Sequence, residues 1–291
     1  MHAYLFPGQG TQFPGMGKEL FESSKLAQEY FERGNEILGY AITDVMFKGS
    51  AADLKQTKFA QPAIFLHSFI LSKTLGKDFK PDMVAGHSLG EITALAAIGS
   101  LDFESALELI SKRATAMQKV CEVENTGMAV VVGLYDVIVK DICDQIDGIV
   151  VPSNYNALHQ VVISGEMKAL EEACEKLRPG AQRVVNLPVS GAFHSPFMAP
   201  IVEEFSATIE ETAFKPPICP IYQNIKGRPT EDVALIKKNL IDQLTHPVMW
   251  RHTILHMIED GATEFTEIGP GNFLRGLVHQ INKKMIINGI S

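Results

Sequence analysis

Short apolar runs alternate with stretches of helical period along both ends of the chain, the pattern of a parallel sheet covered by helices. The run before Pro7 reads as a first strand, and Asp82-Met83-Val84-Ala85 as another that stops at Gly86. Helix formers follow at Glu91-Ile92-Thr93-Ala94-Leu95-Ala96-Ala97, and a longer helix is predicted over about 102–120. Then the period changes. After a polar break, Glu122-Val123-Glu124-Asn125-Thr126-Gly127, the chain reads as strand (Met128 to Gly133), helix (Asp136 to Gln145), strand (Ile149 to Pro152), strand (Gln160 to Ser164), helix (Met167 to Leu177) and strand (Gln182 to Asn186). This β-α-β-β-α-β order is the split motif of ferredoxin-like folds. The expectation is an α/β protein: residues 124–190 form a small α+β insert, while 1–123 and 191–291 together form the larger unit. A cleft between two such units suits a ligand.

The strand and helix around Gly86-His87-Ser88-Leu89-Gly90 give that pentapeptide its meaning. Gly-x-Ser-x-Gly between a strand and a helix is a nucleophile elbow. Its two glycines let the chain turn sharply, so that Ser88 is held strained with its hydroxyl pushed out and the Leu89 N–H turned toward it. On an exposed turn the same five residues carry no chemistry; in this context they predict an acyl-enzyme at Ser88.

Composition narrows the classes. A chain of 291 residues with 46% hydrophobic positions can bury a sizeable core. The net charge of −8 argues against a nucleic-acid partner, though it leaves room for a local basic patch. No apolar run approaches the roughly 18 residues of a membrane span, and the opening residues lack an export signal, so a cytoplasmic protein is expected. Cys121, Cys143, Cys174 and Cys219 are widely spaced, which predicts free thiols and neither a metal site nor a disulfide frame.

A serine hydroxyl needs a partner to take its proton. His87 adjoins Ser88, but neighbouring side chains diverge at an elbow, so it is expected to pack beside the turn. His252 and His256 lie one turn apart on a predicted helix; Thr253 stands where a zinc protease motif needs glutamate, so no metal is expected there. His194, in Pro188-Val189-Ser190-Gly191-Ala192-Phe193-His194-Ser195-Pro196, follows the insert's last strand and is the best placed to enter the cleft. Spacing alone leaves catalytic base and structural loop histidine level. Hydrolases with this elbow place an acid between the serine and the histidine. Asp102 reads instead as a helix N-cap, and Asp136, Asp141, Asp144 and Asp147 fall in the insert. A backbone or amide carbonyl can orient the imidazole in the acid's place.

Phe6-Pro7-Gly8-Gln9-Gly10-Thr11-Gln12 directly follows the first strand and fits no nucleotide loop, because Phe13 and Gln12 occupy positions that need glycine. If this loop approaches Ser88, the N–H groups of Gln9 and Leu89 form a two-donor oxyanion hole. One such donor is typically worth about 3 kcal/mol in the transition state.

Taken together, Gly8-Gln9-Gly10-Thr11-Gln12, Gln61-Pro62-Ala63, Gly86-His87-Ser88-Leu89-Gly90-Glu91, Lys112-Arg113-Ala114-x-x-Met117-Gln118, Gly191-Ala192-Phe193-His194-Ser195 and Gly269-Pro270-Gly271 resemble the malonyl-CoA:acyl-carrier-protein transacylases over nearly the whole chain. The resemblance implies a hydrolase-like parallel-sheet core with an inserted ferredoxin-like subdomain. It implies a Ser88 and His194 dyad in which the main-chain carbonyl of Gln243 replaces the missing acid. His246 and Met249 depart from the family's Asn-Pro-Val stretch, which puts the local geometry beside Gln243 in question.

By itself Arg113, next to Lys112, reads as an arginine on a solvated helix face. The resemblance assigns it instead to the free carboxylate of malonyl, which a guanidinium binds through two parallel hydrogen bonds. Phe193 resembles the malonyl-selective members. Gln61 resembles a substrate-contacting position, although it also reads as a helix N-terminal residue before a Pro62 at the first helical position. Asn154, Asn156 and Gln160 fall on the insert's connecting loop and are candidates to face the cleft. The implied reaction is ping-pong transfer from malonyl-CoA to the phosphopantetheine of acyl carrier protein, without a cofactor, in a monomer serving fatty acid synthesis. A serine hydrolase or thioesterase, a polyketide acyltransferase and a silent docking module are the alternatives.

Overall fold

The structure, a computed structural model, describes residues 1–189 and 191–291; Ser190, the last residue of the expected insert, lies outside the described residues. Strand β1 (His2–Phe6) is followed by five helices in succession, α1 (Lys18–Ser23), α2 (Lys25–Leu38), α3 (Ile42–Lys48), α4 (Ala51–Lys55) and α5 (Thr57–Thr74). Next come β2 (Met83–Gly86), α6 (Gly90–Ala97) and α7 (Phe103–Val123). The second sheet is built from β3 (Thr126–Val132), α8 (Asp136–Cys143), β4 (Val150–Ala157), β5 (Gln160–Glu166), α9 (Met167–Leu177) and β6 (Arg183–Asn186). The chain closes with α10 (Val202–Glu211), β7 (Ile221–Gln223), β8 (Arg228–Thr230), α11 (Val233–Asp242), α12 (Trp250–Glu259), β9 (Glu264–Ile268), α13 (Phe273–Ile281) and β10 (Ile286–Ile290).

The large sheet runs β10-β9-β1-β2-β7-β8 and is parallel except for the antiparallel edge pair β7–β8. Its two central strands, β1 and β2, are buried on both faces, as parallel strands under helical cover must be. The expected alternation of strand and helix fails between β1 and β2, where helices alone carry the chain across. Helix α5 is responsible: Ala60 through Ser72 are buried without interruption, so it runs through the core and needs other helices to cover it.

The small sheet runs β4-β5-β3-β6, all antiparallel, which is the ferredoxin-like order. Alternation along β3 divides its side chains between two cores. Ala129 and Val131 pack with α8 and α9. Met128 and Val130 face the opposite way, onto the core of the large unit. β4 is longer than the sequence predicts: it continues past Pro152 to Ala157, so Asn154 and Asn156 belong to a strand and not to a connecting loop. Register shifts at Pro152/Asn154 and Tyr155/Ala157 reconcile these poor strand formers with the ladder.

Candidate active site

Ser88 occupies the turn between β2 and α6 with φ of 55°, a left-handed conformation that costs a non-glycine residue on the order of 1–3 kcal/mol. The flanking glycines are needed for space. A Cβ on Gly86 would lie 1.9 Å from the Gly90 carbonyl carbon, and one on Gly90 would lie 2.2 Å from the Phe6 carbonyl oxygen. The end of β1 therefore lies directly against the elbow.

His194, also left-handed with φ of 56°, places Nε2 2.8 Å from the Ser88 hydroxyl oxygen. Its Nδ1 is 2.8 Å from the main-chain oxygen of Gln243, which fixes the tautomer: Nδ1–H donates to the carbonyl and Nε2 is left to accept. The loop carrying His194 is tied to the small sheet, since the Ala192 N–H donates to Thr126 Oγ1 and Ser164 Oγ donates to the Phe193 carbonyl. His246 and Met249 do not disturb this geometry. His246 is exposed, and the Met249 N–H donates to the Asn224 carbonyl.

Arg113 is buried, at 1% exposure, and so is not on a solvated face. Its guanidinium donates to Gln61 Oε1 at 2.7 Å, to Gln243 Oε1 at 3.0 Å and to Ser88 Oγ at 3.1 Å. Gln61 is the fifth residue of α5: the helix starts at Thr57, so Pro62 is in the second turn and not at its first position. The Gln61 amide also donates to Gln9 Oε1 and toward Met117 Sδ. Around this cluster is a cavity of about 100 Å³, lined by Gln9, Gln61, Ser88, Asn156, Phe193 and His194 among others. Leu89 buries its side chain, and among the described residues neither its N–H nor that of Gln9 has a protein acceptor. His87 packs beside the turn as expected, with Nε2 3.0 Å from Asn156 Oδ1 and its ring tilted against Trp250. Gln160 opens β5 away from the cavity. Among the described residues no three metal-ligating side chains gather, and a roomier groove of about 530 Å³ near Phe13 and Pro270 holds none of the site's polar residues.

Residues 3–285 match the acyl transferase domain family. The malonyl CoA-acyl carrier protein transacylase of Bacillus subtilis is 38% identical over 97% of this chain and 91% of its own length. The chain belongs to the malonyl-CoA:acyl-carrier-protein transacylases. A polyketide biosynthesis malonyl CoA-acyl carrier protein transacylase of the same organism is also 38% identical, with 97% of this chain and 98% of the relative covered. The solved structure of the transacylase from Coxiella burnetii superimposes with a TM-score of 0.95 at 33% identity, covering 99% of this chain and 93% of that one.

Electrostatics of this transacylase follow from burial. Desolvation first, then the Arg113 charge, hold the His194 imidazole far below its ordinary value, at about 3, against the pull of the Gln243 carbonyl. At neutral pH it is an unprotonated acceptor for the serine proton. Burial also lowers Arg113, to about 10, which leaves it a cation. Glu91 is pushed up by burial, to about 8, against the Asn224 N–H and the Gln223 amide.

The sequence pattern missed one residue, Asn224, and the side-chain role of another, Gln243. Asn224 is fully buried and receives the Ser88 N–H on Oδ1 at 2.7 Å. Gln243 contributes its side chain as well as its carbonyl, with Nε2 donating to the Ser88 carbonyl at 3.1 Å. Neither sits in a motif. The signal available was Gln223-Asn224 placed directly after the apolar Ile221-Tyr222, two amides at the end of a buried strand.

Proposed function

We propose that the protein moves a malonyl group from malonyl-CoA to the phosphopantetheine thiol of acyl carrier protein through an ester on Ser88. The observation that carries this reading is the buried Arg113 cation 3.1 Å from the Ser88 hydroxyl oxygen. A buried cation beside a nucleophile favours an acyl group that ends in a carboxylate. The cavity of about 100 Å³ beside Ser88 has room for a short acyl group.

In the first half-reaction His194 Nε2 takes the Ser88 proton as Oγ bonds to the thioester carbon. The N–H groups of Gln9 and Leu89 receive the oxyanion, a role supported by their lack of other acceptors. The C–S bond then breaks, and protonated His194 returns its proton to the departing coenzyme A sulfur. In the second half-reaction the carrier's thiol gives its proton to His194 as its sulfur bonds to the malonyl carbonyl carbon; the ester C–O bond then breaks and His194 returns the proton to Ser88 Oγ. Gln61 aligns Arg113, Gln243 orients His194, Phe193 limits room beside the acyl group, and Asn156 holds His87 at the cavity wall. The thioester supplies its own activation, so this scheme needs no cofactor and no metal.

In this reading residues 1–123 and 191–291 form the catalytic unit and 124–190 its cover. All the groups named come from one chain, which suits a monomer. Four free thiols suit the cytoplasm, and no helix among the described residues is long and apolar enough to cross a membrane. We assign the reaction to fatty acid synthesis. The equal identity to the polyketide relative favours a second reading, distinguished by which carrier protein is loaded faster.

Intact-protein mass spectrometry after brief mixing with malonyl-CoA tests the scheme. A malonyl adduct is expected in the parent, none in Ser88→Ala, and on the order of 100-fold slower labelling in Arg113→Ala, since two charge-assisted hydrogen bonds are lost. Acetyl-CoA is expected to label poorly. Coenzyme A release without any adduct would identify water as the acceptor and the protein as a hydrolase.

A further inference from the structure

We propose that Asn224 is a positioning residue: its side-chain amide locks Ser88 into the left-handed turn that aims the hydroxyl at His194, with Glu91 holding the Asn224 backbone from behind. The inference rests on Ser88 being the nucleophile.

The ladder between β2 and β7 ends at the pair Ala85 and Tyr222. Beyond it the elbow turns away from the sheet, and no strand can follow. Asn224, one residue past β7, supplies what the ladder lacks. Its Nδ2 donates to the Gly86 carbonyl at 2.7 Å and its Oδ1 accepts the Ser88 N–H at 2.7 Å. A side-chain amide is chemically a peptide group, so one donor and one acceptor continue the pairing across the turn. The partners also fix its orientation, because a flipped amide would set donor against donor and acceptor against acceptor.

The backbone that carries this side chain is itself held. The Asn224 N–H donates to Glu91 Oε1, and Gln223 Nε2 approaches Glu91 Oε2 at 3.4 Å. Glu91 lies in the first turn of α6, the helix that leaves the elbow. The elbow is thus gripped by the strand beside it and by the helix after it. Gln243 closes the network, donating to the Ser88 carbonyl at 3.1 Å and approaching Asn224 Oδ1 at 3.4 Å. Asn224 and Glu91 are both fully buried, and neither lines the cavity. They touch no reacting group and act on the reaction through the backbone of Ser88, with Gln243 as a second route. Because Asn224 occupies the Ser88 N–H, that amide is withdrawn from oxyanion binding, which leaves the task to Gln9 and Leu89.

A residue that merely stabilised the core would lower the amount of folded protein and leave the chemistry of the folded fraction unchanged. A positioning residue lowers the acylation rate at constant substrate affinity. Rapid-mixing mass spectrometry of the full chain at varied malonyl-CoA separates the two, with thermal melts to confirm folding. In Asn224→Ala the maximal rate of malonyl-Ser88 formation is expected to fall on the order of 100-fold, the usual cost of displacing a reacting group by about 1 Å. The half-saturating concentration should stay within about threefold, since Arg113 and the cavity lining are untouched. Glu91→Gln, which keeps volume but loses one acceptor, is expected to fall about tenfold, and Asn224→Asp, which sets an oxygen against the Gly86 carbonyl, by more than that. A folded Asn224→Ala acylated within threefold of the parent rate overturns the proposal. Should that variant not fold, parent-like rates in Asn224→Asp and Glu91→Gln overturn it equally. A parent adduct that persists in Ser88→Ala would instead overturn the nucleophile assignment beneath it.

Discussion

A histidine that must accept a proton at neutral pH works best when nothing else protonates it. Burial and the nearby Arg113 charge keep the His194 imidazole neutral down to about pH 3 in the free enzyme. The expected consequence is that kcat/KM for malonyl-CoA shows no fall through pH 6.5, the ordinary histidine range, between pH 8 and 5. An acid limb centred near 6.5 would mean that the imidazole is hydrated in solution. At this scale the sequence is legible where chemistry is local. Ser88 could be read because its strand, glycines and helix are contiguous. Arg113 could not be read from residues alone, because its burial is decided by what packs on α7, and Lys112 beside it is exposed. Asn224 is less visible still: its partner Ser88 lies 136 positions away, and an asparagine after a strand ordinarily signals a turn.

Among elements, the critical junction is where the end of β1, the end of β2 and the start of α6 meet. Only backbone fills it, and backbone cannot step aside for a methyl group. Gly90→Ala would drive a Cβ to 2.2 Å from the Phe6 carbonyl oxygen. It is expected to cost about 1–3 kcal/mol of stability, read from denaturant melts, and to abolish most malonyl labelling by spreading the two strand ends apart. Labelling at the parent rate would show that the junction has slack. The small sheet was legible because the change from helical period to period two is strong between 126 and 186. β4 was cut short in the reading because Pro152, Asn154 and Asn156 are poor strand formers; pairing with β5 and two register shifts override that preference. The row of helices before β2 was not anticipated, because a helix buried nearly all round, such as α5, has no solvent face to mark its period.

For the whole molecule, buried titratable groups set an acid limit. Burial lowers His67 and His87 to about 4 and His194 to about 3. Each is protonated more readily in the unfolded chain, so the stability it contributes is complete above pH 6.5 and is lost as pH falls toward the folded value. At pH 5 the loss is about 2 kcal/mol per imidazole. Glu91, raised to about 8, and Glu267, also raised by burial, act in the opposite sense and favour the fold as pH falls from 8 toward 4.5. The two carboxyls offset part of the loss from the three imidazoles. The melting temperature should fall by roughly several degrees between pH 7 and pH 5, and His67→Gln, remote from Ser88, should narrow the difference. A flat profile would show that these rings are not desolvated. The mooring of the His194 loop to Thr126 and Ser164 bears on the same scale. Ser88 rides on the large sheet, whereas the loop of the base that serves it is moored to the small one as well. The gap that the proton crosses therefore depends on how the small sheet seats on the large unit, through Met128 and Val130 as well as through this loop.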